Sequence, residues 1–220
     1  MSNQEFEKRV LKYFLAVGEK KVPFKKIDVL NAIPDLRNNK SFVEIFNSAN
    51  FHLSQVFGFK IQEIQQKNNK VYIVVPKSIT SHLVIPPRKQ PEKILLYIVL
   101  TYIFMKGGEV PEAILWAFLK KFEITIDEDH DYFGNVRKFL TETFIKQLYL
   151  VREKVEEEGG TDFILYYSWG PRSTYEVPKG EMLEYVAELL KRPSKCFLRQ
   201  FKEVYNRDPS QTPQPGPSQR

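Results

Sequence analysis

The sequence predicts a mainly α fold with small β-hairpin wings, an α+β chain of tandem winged-helix domains. Three observations carry that prediction. Two successive blocks run in the same order, three helical patterns followed by a strand–turn–strand pattern. A proline-rich stretch, Pro86-Pro87-Arg88-Lys89-Gln90-Pro91, stands between them as a short stiff linker. The second block also opens on a helix with no polar face, Ile94 to Met105. A helix apolar all round has to be covered on every side, and a domain of roughly 100 residues has little material to spare for that. Either the first block packs over it or another protein does.

In the first block Phe6, Val10, Phe14 and Val17 recur at helical spacing, Leu11 and Leu15 widen the stripe, and Gly18 stops it. Pro23 opens a short second helix that runs through Leu30. Ser41 to Phe57 forms the third, with Phe42, Ile45, Phe46, Ala49, Leu53 and Phe57 on one broad face and Gly58 at its end. Phe59 to Ile64 and Val71 to Val75 then flank Asn68-Asn69 as strand, turn and strand. The second block repeats this with helices at Ile94–Met105, Pro111–Phe122 and Phe133–Gln147. Its strands, at Leu148–Val151 and Phe163–Tyr167, bracket a tip that contains Gly159-Gly160. Three helices and a two-stranded wing make the winged-helix order.

Beyond the second wing, Glu181 to Leu190 is an amphipathic helix stopped before Pro193, and Lys195 to Tyr205 forms one more. From Arg207 onward Pro209, Pro213, Pro215 and Pro217 among Ser and Gln predict disorder. The expected organisation is a first winged-helix domain at 1–78, a linker at 79–91, a second domain at 92–192, a C-terminal helix at 193–206 and a tail at 207–220.

Composition narrows the function. The chain is 42% hydrophobic and 14% aromatic, which is globular rather than disordered. A single cysteine, Cys196, excludes a disulfide framework and fits a reducing compartment. The polar start Met1-Ser2-Asn3-Gln4-Glu5 has no signal-peptide pattern. The run Ile94–Met105 falls short of the ~20 apolar residues a membrane span needs. A soluble protein of the nucleus or cytoplasm is expected, with no membrane partner. No glycine-rich phosphate loop and no Cys/His metal spacing occurs, and His52, His82 and His130 are scattered. Asp127-Glu128-Asp129-His130-Asp131 reads as a solvated acidic loop rather than a metal site. The expectation is a binding protein, not an enzyme, without metal or cofactor.

Net charge is +6, unevenly spread: residues 1–90 carry 15 Lys/Arg against 7 Asp/Glu, residues 91–206 carry 16 against 19. A winged helix meets DNA through its third helix and its wing. In the first unit only Lys40 lies near that helix, while the wing tip offers Lys67 and Lys70. The second unit offers Arg137, Lys138 and Lys146, with Arg152 on the following strand, but its tip Glu156-Glu157-Glu158 is acidic. Neither helix is basic enough to read sequence, so the expected contact with double-stranded DNA is weak, salt-sensitive and indifferent to sequence. A free-standing DNA-binding regulator would need a strongly basic third helix.

The residues Gln55-Val56-Phe57-Gly58-Phe59, the segment Leu95-Leu96 with Ile98-Val99-Leu100, Ile103-Phe104, Gly107, Glu112 and Trp116, then Arg137-Lys138 with Leu140-Thr141, and Trp169-Gly170-Pro171-Arg172 resemble the MAGE homology domain. The resemblance runs from about Phe6 to Leu190. It implies tandem winged helices without catalysis that bind RING-type ubiquitin ligases. The short form, little more than the homology domain, is similar to the family's representative in the five–six chromosome-maintenance complex. That likeness implies a RING-type ligase partner, a kleisin partner, contact with double-stranded DNA, a nuclear, chromatin-associated place and a role in DNA repair. Other members direct RING ligases to substrates outside that complex.

Leu95 and Leu96 match the pair through which the family meets its RING partner. Adjacent helical residues point about 100° apart, so one of the two is expected to reach a second surface; the alternative is burial of both between the domains. An apolar groove for a kleisin helix is expected in the second unit, lined by Tyr97, Tyr102, Trp116 and Phe118.

Overall fold

The computed structural model describes residues 2–66, 69–78, 90–156 and 163–206. The predicted repeat is present. The first unit holds α1 (Asn3–Lys20), α2 (Lys26–Ala32), α3 (Phe42–Val56) and the antiparallel pair β1 (Phe59–Gln66) and β2 (Asn69–Pro76). The second holds α4 (Gln90–Met105), β3 (Glu109–Pro111), α5 (Glu112–Lys120), α6 (Val136–Lys138), α7 (Phe144–Lys146), β4 (Leu150–Glu156) and β5 (Phe163–Trp169). It continues through α8 (Pro171–Glu176), α9 (Lys179–Leu189) and α10 (Leu198–Tyr205).

Local sequence explains most boundaries. Ser2 caps α1 in a reciprocal capping box with Glu5. Gly107-Gly108, both at positive φ, reverse the chain after α4 into β3. The third helix of the second unit is not one regular helix: α6 and α7 are joined by a π-turn over Phe139–Thr143. Leu148, expected to start a strand, sits at φ 64° and ends that helix instead, so β4 begins at Leu150. Helix α4 begins at Gln90 with Pro91 in its first turn, which takes the last two residues of the expected linker; residues 79–89 lie outside the described residues.

Two elements have no counterpart in the prediction. β3 adds a third strand, in the order β3-β5-β4. Phe24 makes the matching bridge in the first unit, donating to and accepting from Tyr72 (2.9 and 2.7 Å). The other is α8, the helix carried by the Trp169-Gly170-Pro171-Arg172 segment.

Each unit has its own core. In the first, Phe14, Phe24, Phe46 and Tyr72 pack ring on ring around Val10, Val29, Ile45, Ala49 and Leu53. In the second, α4 is the axis. Leu95, Leu96, Val99, Leu100, Ile103 and Phe104 meet Leu115 and Leu119 of α5, Val136, Leu140 and Phe144, Tyr167 of β5, and Met182 and Leu183 of α9. Helix α10 closes the end of this axis: the buried Gln200 donates to the carbonyls of Phe104 and Met105 (3.1 and 3.0 Å) at the C-terminus of α4, the first of which also accepts from Gly107 N (3.0 Å). The bare helix is therefore covered by its own unit and the C-terminal helices, not by the first unit.

The units meet through β2. Its side chains alternate faces: Tyr72 and Val74 join the first core, while Val71, Ile73 and Val75 turn outward and pack on Leu148, Ile64 and Tyr175.

Candidate functional site

Leu95 and Leu96 are 0% and 7% exposed, and both belong to the second unit's core. The expectation that one of them reaches a free surface is corrected by the position of α4: packed from several sides, the helix buries two adjacent directions at once. Nor do they lie between the domains, since their cluster is wholly within the second unit. What α4 does present is the preceding Ile94, 42% exposed, and the half-buried Tyr97 and Ile98.

The four residues assigned to one groove separate. Tyr102 and Phe118 stack, with centroids 3.7 Å apart and planes 12° apart. Phe122 meets Phe118 edge-on at 5.1 Å and is 60% exposed. Ile114, one turn before Phe118 on α5, is also exposed, and the Lys106 ammonium lies 5.6 Å from the Tyr102 ring. This aromatic face was half legible, and the i, i+4 spacing of Ile114, Phe118 and Phe122 is the signal that completes it. Trp116, two residues from Phe118 and so on the far side of α5, packs edge-on against buried Tyr167 at 6.0 Å. Tyr97 lies on another side of α4, where burial and then the Glu181 carboxylate and Tyr185 push its hydroxyl pKa up. Tyr97, one turn from the exposed Ile94 on α4, lies within electrostatic reach of the exposed Tyr185 of α9, a second candidate surface that sequence reasoning missed because it joins helices about 90 residues apart.

The cations assigned to DNA are largely engaged. Arg137 pairs with Asp127 (3.0 Å) and donates to Ile126 O (3.2 Å). Lys146 pairs with Glu142 one turn earlier (3.0 Å), and Lys70 with Glu63 (2.8 Å). Arg152 grips both oxygens of Glu112 (2.9 and 2.7 Å) and lies 5.9 Å from the Tyr167 ring, which makes it a strut between β4 and α5. Lys138 is exposed, and no carboxylate pairs with its ammonium among the described residues. Lys67 lies outside the described residues. Among the described residues no group of three or more His, Cys, Asp or Glu is placed to hold a metal ion, and no helix is long and apolar enough to cross a membrane.

The Trp169-Gly170-Pro171-Arg172 segment resolves residue by residue. Trp169 Nε1 donates to Leu100 O (2.9 Å), tying β5 to the axis helix. A Cβ on Gly170 would stand 2.3 Å from Leu148 O, so only glycine lets the chain pass. Pro171 opens α8, which delivers a fully buried Arg172 to the junction between the units.

The sequence profile of the MAGE homology domain matches residues 10–180. The chain belongs to the MAGE homology domain family. Among its relatives, trophinin from Homo sapiens is 30% identical over 91% of this chain and 14% of its own length. Human melanoma-associated antigen D2 is 30% identical over 90% and 32%. The chain thus spans a third or less of these two proteins. The human non-structural maintenance of chromosomes element 3 homolog is 31% identical over 99% of this chain and 73% of its own length. A chain of the solved Nse1-Nse3-Nse4 complex matches with a TM-score of 0.81 at 30% identity, over 92% of this chain and 97% of that one.

Proposed function

We propose that this MAGE-family chain is a non-catalytic scaffold subunit of the five–six chromosome-maintenance complex, acting on chromatin in the nucleus in DNA repair. In that role it holds a RING-type ubiquitin ligase subunit and a kleisin segment, and contacts double-stranded DNA. The observation that carries this reading is the near full-length likeness to a chain of the Nse1-Nse3-Nse4 complex, joined to 31% identity with an element 3 homolog along 99% of the sequence. The mechanism is positional. Two apolar surfaces share the axis helix α4, one with α5 and the other with α9, and each is suited to a different partner.

The kleisin helix docks on the aromatic face of Tyr102, Phe118, Phe122 and Ile114, where an amphipathic helix can lay apolar residues across a ready-made stack. The RING subunit meets the Ile94–Tyr97–Tyr185 surface. Leu95 and Leu96 serve that contact from beneath, by seating α4 in the core. DNA contact is slight and falls to the exposed Lys138 rather than to the paired Arg137, Lys146, Arg152 and Lys70. A second reading, a RING-ligase adaptor outside the complex, rests on the family resemblance and on the 30% identity to melanoma-associated antigen D2, of which the chain spans 32%.

Co-purification from nuclear extract tests the assignment. Chromosome-maintenance, kleisin and RING subunits should accompany the intact chain; a RING ligase without any of the others selects the adaptor reading. Phe122→Ala should lower kleisin capture at least ~10-fold, as expected for an exposed aromatic anchor, while RING capture and the melting temperature hold. Equal loss of both partners would reject the division of surfaces.

A further inference from the structure

Arg172 is the largest fully buried side chain of the molecule's described part, and a guanidinium is a costly thing to bury. Its donors explain why it is tolerated. Nε donates to Gln147 O of its own unit (2.7 Å). Nη1 donates to Val74 O on β2 (2.8 Å), and Nη2 donates to Lys21 O just beyond α1 (3.1 Å), both in the first unit. Nη1 also pairs with Glu176 one helical turn on (3.1 Å). Glu176 in turn accepts from Lys21 Nζ (2.9 and 3.0 Å) and from the Tyr149 hydroxyl (2.6 Å). The link therefore crosses the junction in both directions: a second-unit cation onto first-unit carbonyls, and a first-unit ammonium onto a second-unit carboxylate.

The rest of the junction, among the described residues, is mostly apolar, with Val71, Ile73 and Val75 against Leu148 and Tyr175, and the Lys60 ammonium 5.8 Å from the Tyr175 ring. Apolar burial is non-directional and holds two bodies together without setting the angle between them. A planar guanidinium with its donors spread over four segments is directional, and a rotation between the units strands buried donors. We infer that Arg172 is a positioning residue that pins the two winged-helix units in one orientation, with the Glu176–Lys21 pair as the outer lock of the same device. The apolar seam supplies adhesion and the charged cluster supplies the angle. No partner is needed for this, so it stands apart from the scaffold reading above.

Paired spin labels on the full chain read it directly. Cysteines replace the exposed Lys12 of α1 and Glu188 of α9 in a Cys196→Ser background, and the inter-label distance distribution is measured by pulsed electron resonance. The parent should give one narrow distance. Arg172→Met should at least double the width while circular dichroism still reports the parent's helicity, and Arg172→Lys should not restore it, because one ammonium cannot reach acceptors spread over several directions. A folded Arg172→Met with an unchanged distribution overturns the inference. If Arg172→Met fails to fold, Lys21→Met decides, since that side chain is 24% exposed at the rim of the junction: a broadened distance supports the lock, and a parental one rejects it.

Discussion

The two hairpins occupy the same place in the repeat and have opposite fates. In the first unit every residue from Val71 to Val75 of β2 is buried, one alternate set in the unit's own core and the other against the second unit. In the second unit β4 buries Leu150 and then runs outward, with Arg152, Glu153, Lys154, Val155 and Glu156 exposed. A winged helix is defined by a wing free to touch something. By that measure the first unit has committed the body of β2 to the joint between the domains, leaving Gln65, Gln66, Asn69 and Lys70 exposed at the hairpin end, while the second has kept β4 open. The lesson is that a repeat of elements is not a repeat of roles. Which copy keeps its binding surfaces depends on where the copies meet.

The largest effect expected separates core from surface within one helix turn. Leu95→Ala should destabilise the second unit by about 3–4 kcal/mol, the range for a fully buried leucine with a cavity left behind. Ile94→Ala next to it should stay within ~0.5 kcal/mol and act on partner binding alone. Denaturant unfolding of both variants checks this; a Leu95→Ala chain as stable as its parent would mean that the helix can be peeled from the core. The Leu95→Ala, Leu96→Ala pair then loses a partner through loss of the fold, which a bare binding assay would misread as loss of a contact. The hairpins supply the next test. Ile73→Ala, on the outward face of β2, should cost about 3 kcal/mol, whereas Val155→Ala on the exposed strand should be near neutral, about 0.5 kcal/mol or less. Similar losses at the two sites would break the contrast between a buried joint and an open wing.

What was legible in the sequence follows from how far each signal reaches along the chain. The helices of both units rest on neighbours three or four residues apart and the hairpins on alternation about a turn, and they are present, with the third helix of the second unit broken into α6, a π-turn and α7. The split of the aromatic residues was also written there, because Trp116 and Phe118 cannot share a helix face. The joint was not. Val71, Ile73 and Val75 read as an ordinary strand until the second unit covers their outer face, and the partners of Arg172 lie 98 and 151 residues away. Pairing of charges was hidden for the same reason. Arg137, Arg152, Lys146 and Lys70 are cations in a list and half of an ion pair in space.

Acid offers a smaller and more selective way to act on the joint. Burial opposes ionisation of Glu176, but Lys21 and Arg172 together with the Tyr149 hydroxyl overcome it and hold its pKa below the ordinary 4.5. Lys21 is lowered too, by burial in the first place and by the like charges of Arg172 and Lys93, with Glu176 pulling the other way. Both shifts run downward because burial outweighs Glu176 at Lys21, whereas two cations and a hydroxyl outweigh burial at Glu176. The native pKa of Glu176 being below the unfolded one, its contribution is present above about pH 4.5 and fades as pH falls through the native value. Unfolding free energy measured from pH 7 to pH 3 should drop more steeply for the parent than for Glu176→Gln. Parallel curves would assign the acid sensitivity to other groups.

The smallest expected effect concerns the open unit. Tyr167 is fully buried on β5, and its hydroxyl is the one buried side-chain polar atom without a hydrogen-bond partner among the described residues. Burial raises its pKa first, followed by the Glu112 carboxylate, with Arg152 opposing, so the group stays a neutral phenol. A buried donor that finds no acceptor costs stability rather than adding it, while the ring itself packs on Trp116 and lies under the Arg152 guanidinium. Tyr167→Phe keeps those contacts and removes the orphan, so it should leave the melting temperature unchanged or raise it, by no more than about 1 kcal/mol in stability. A clear loss would mean that the hydroxyl holds the Arg152–Glu112 strut between β4 and α5 in place.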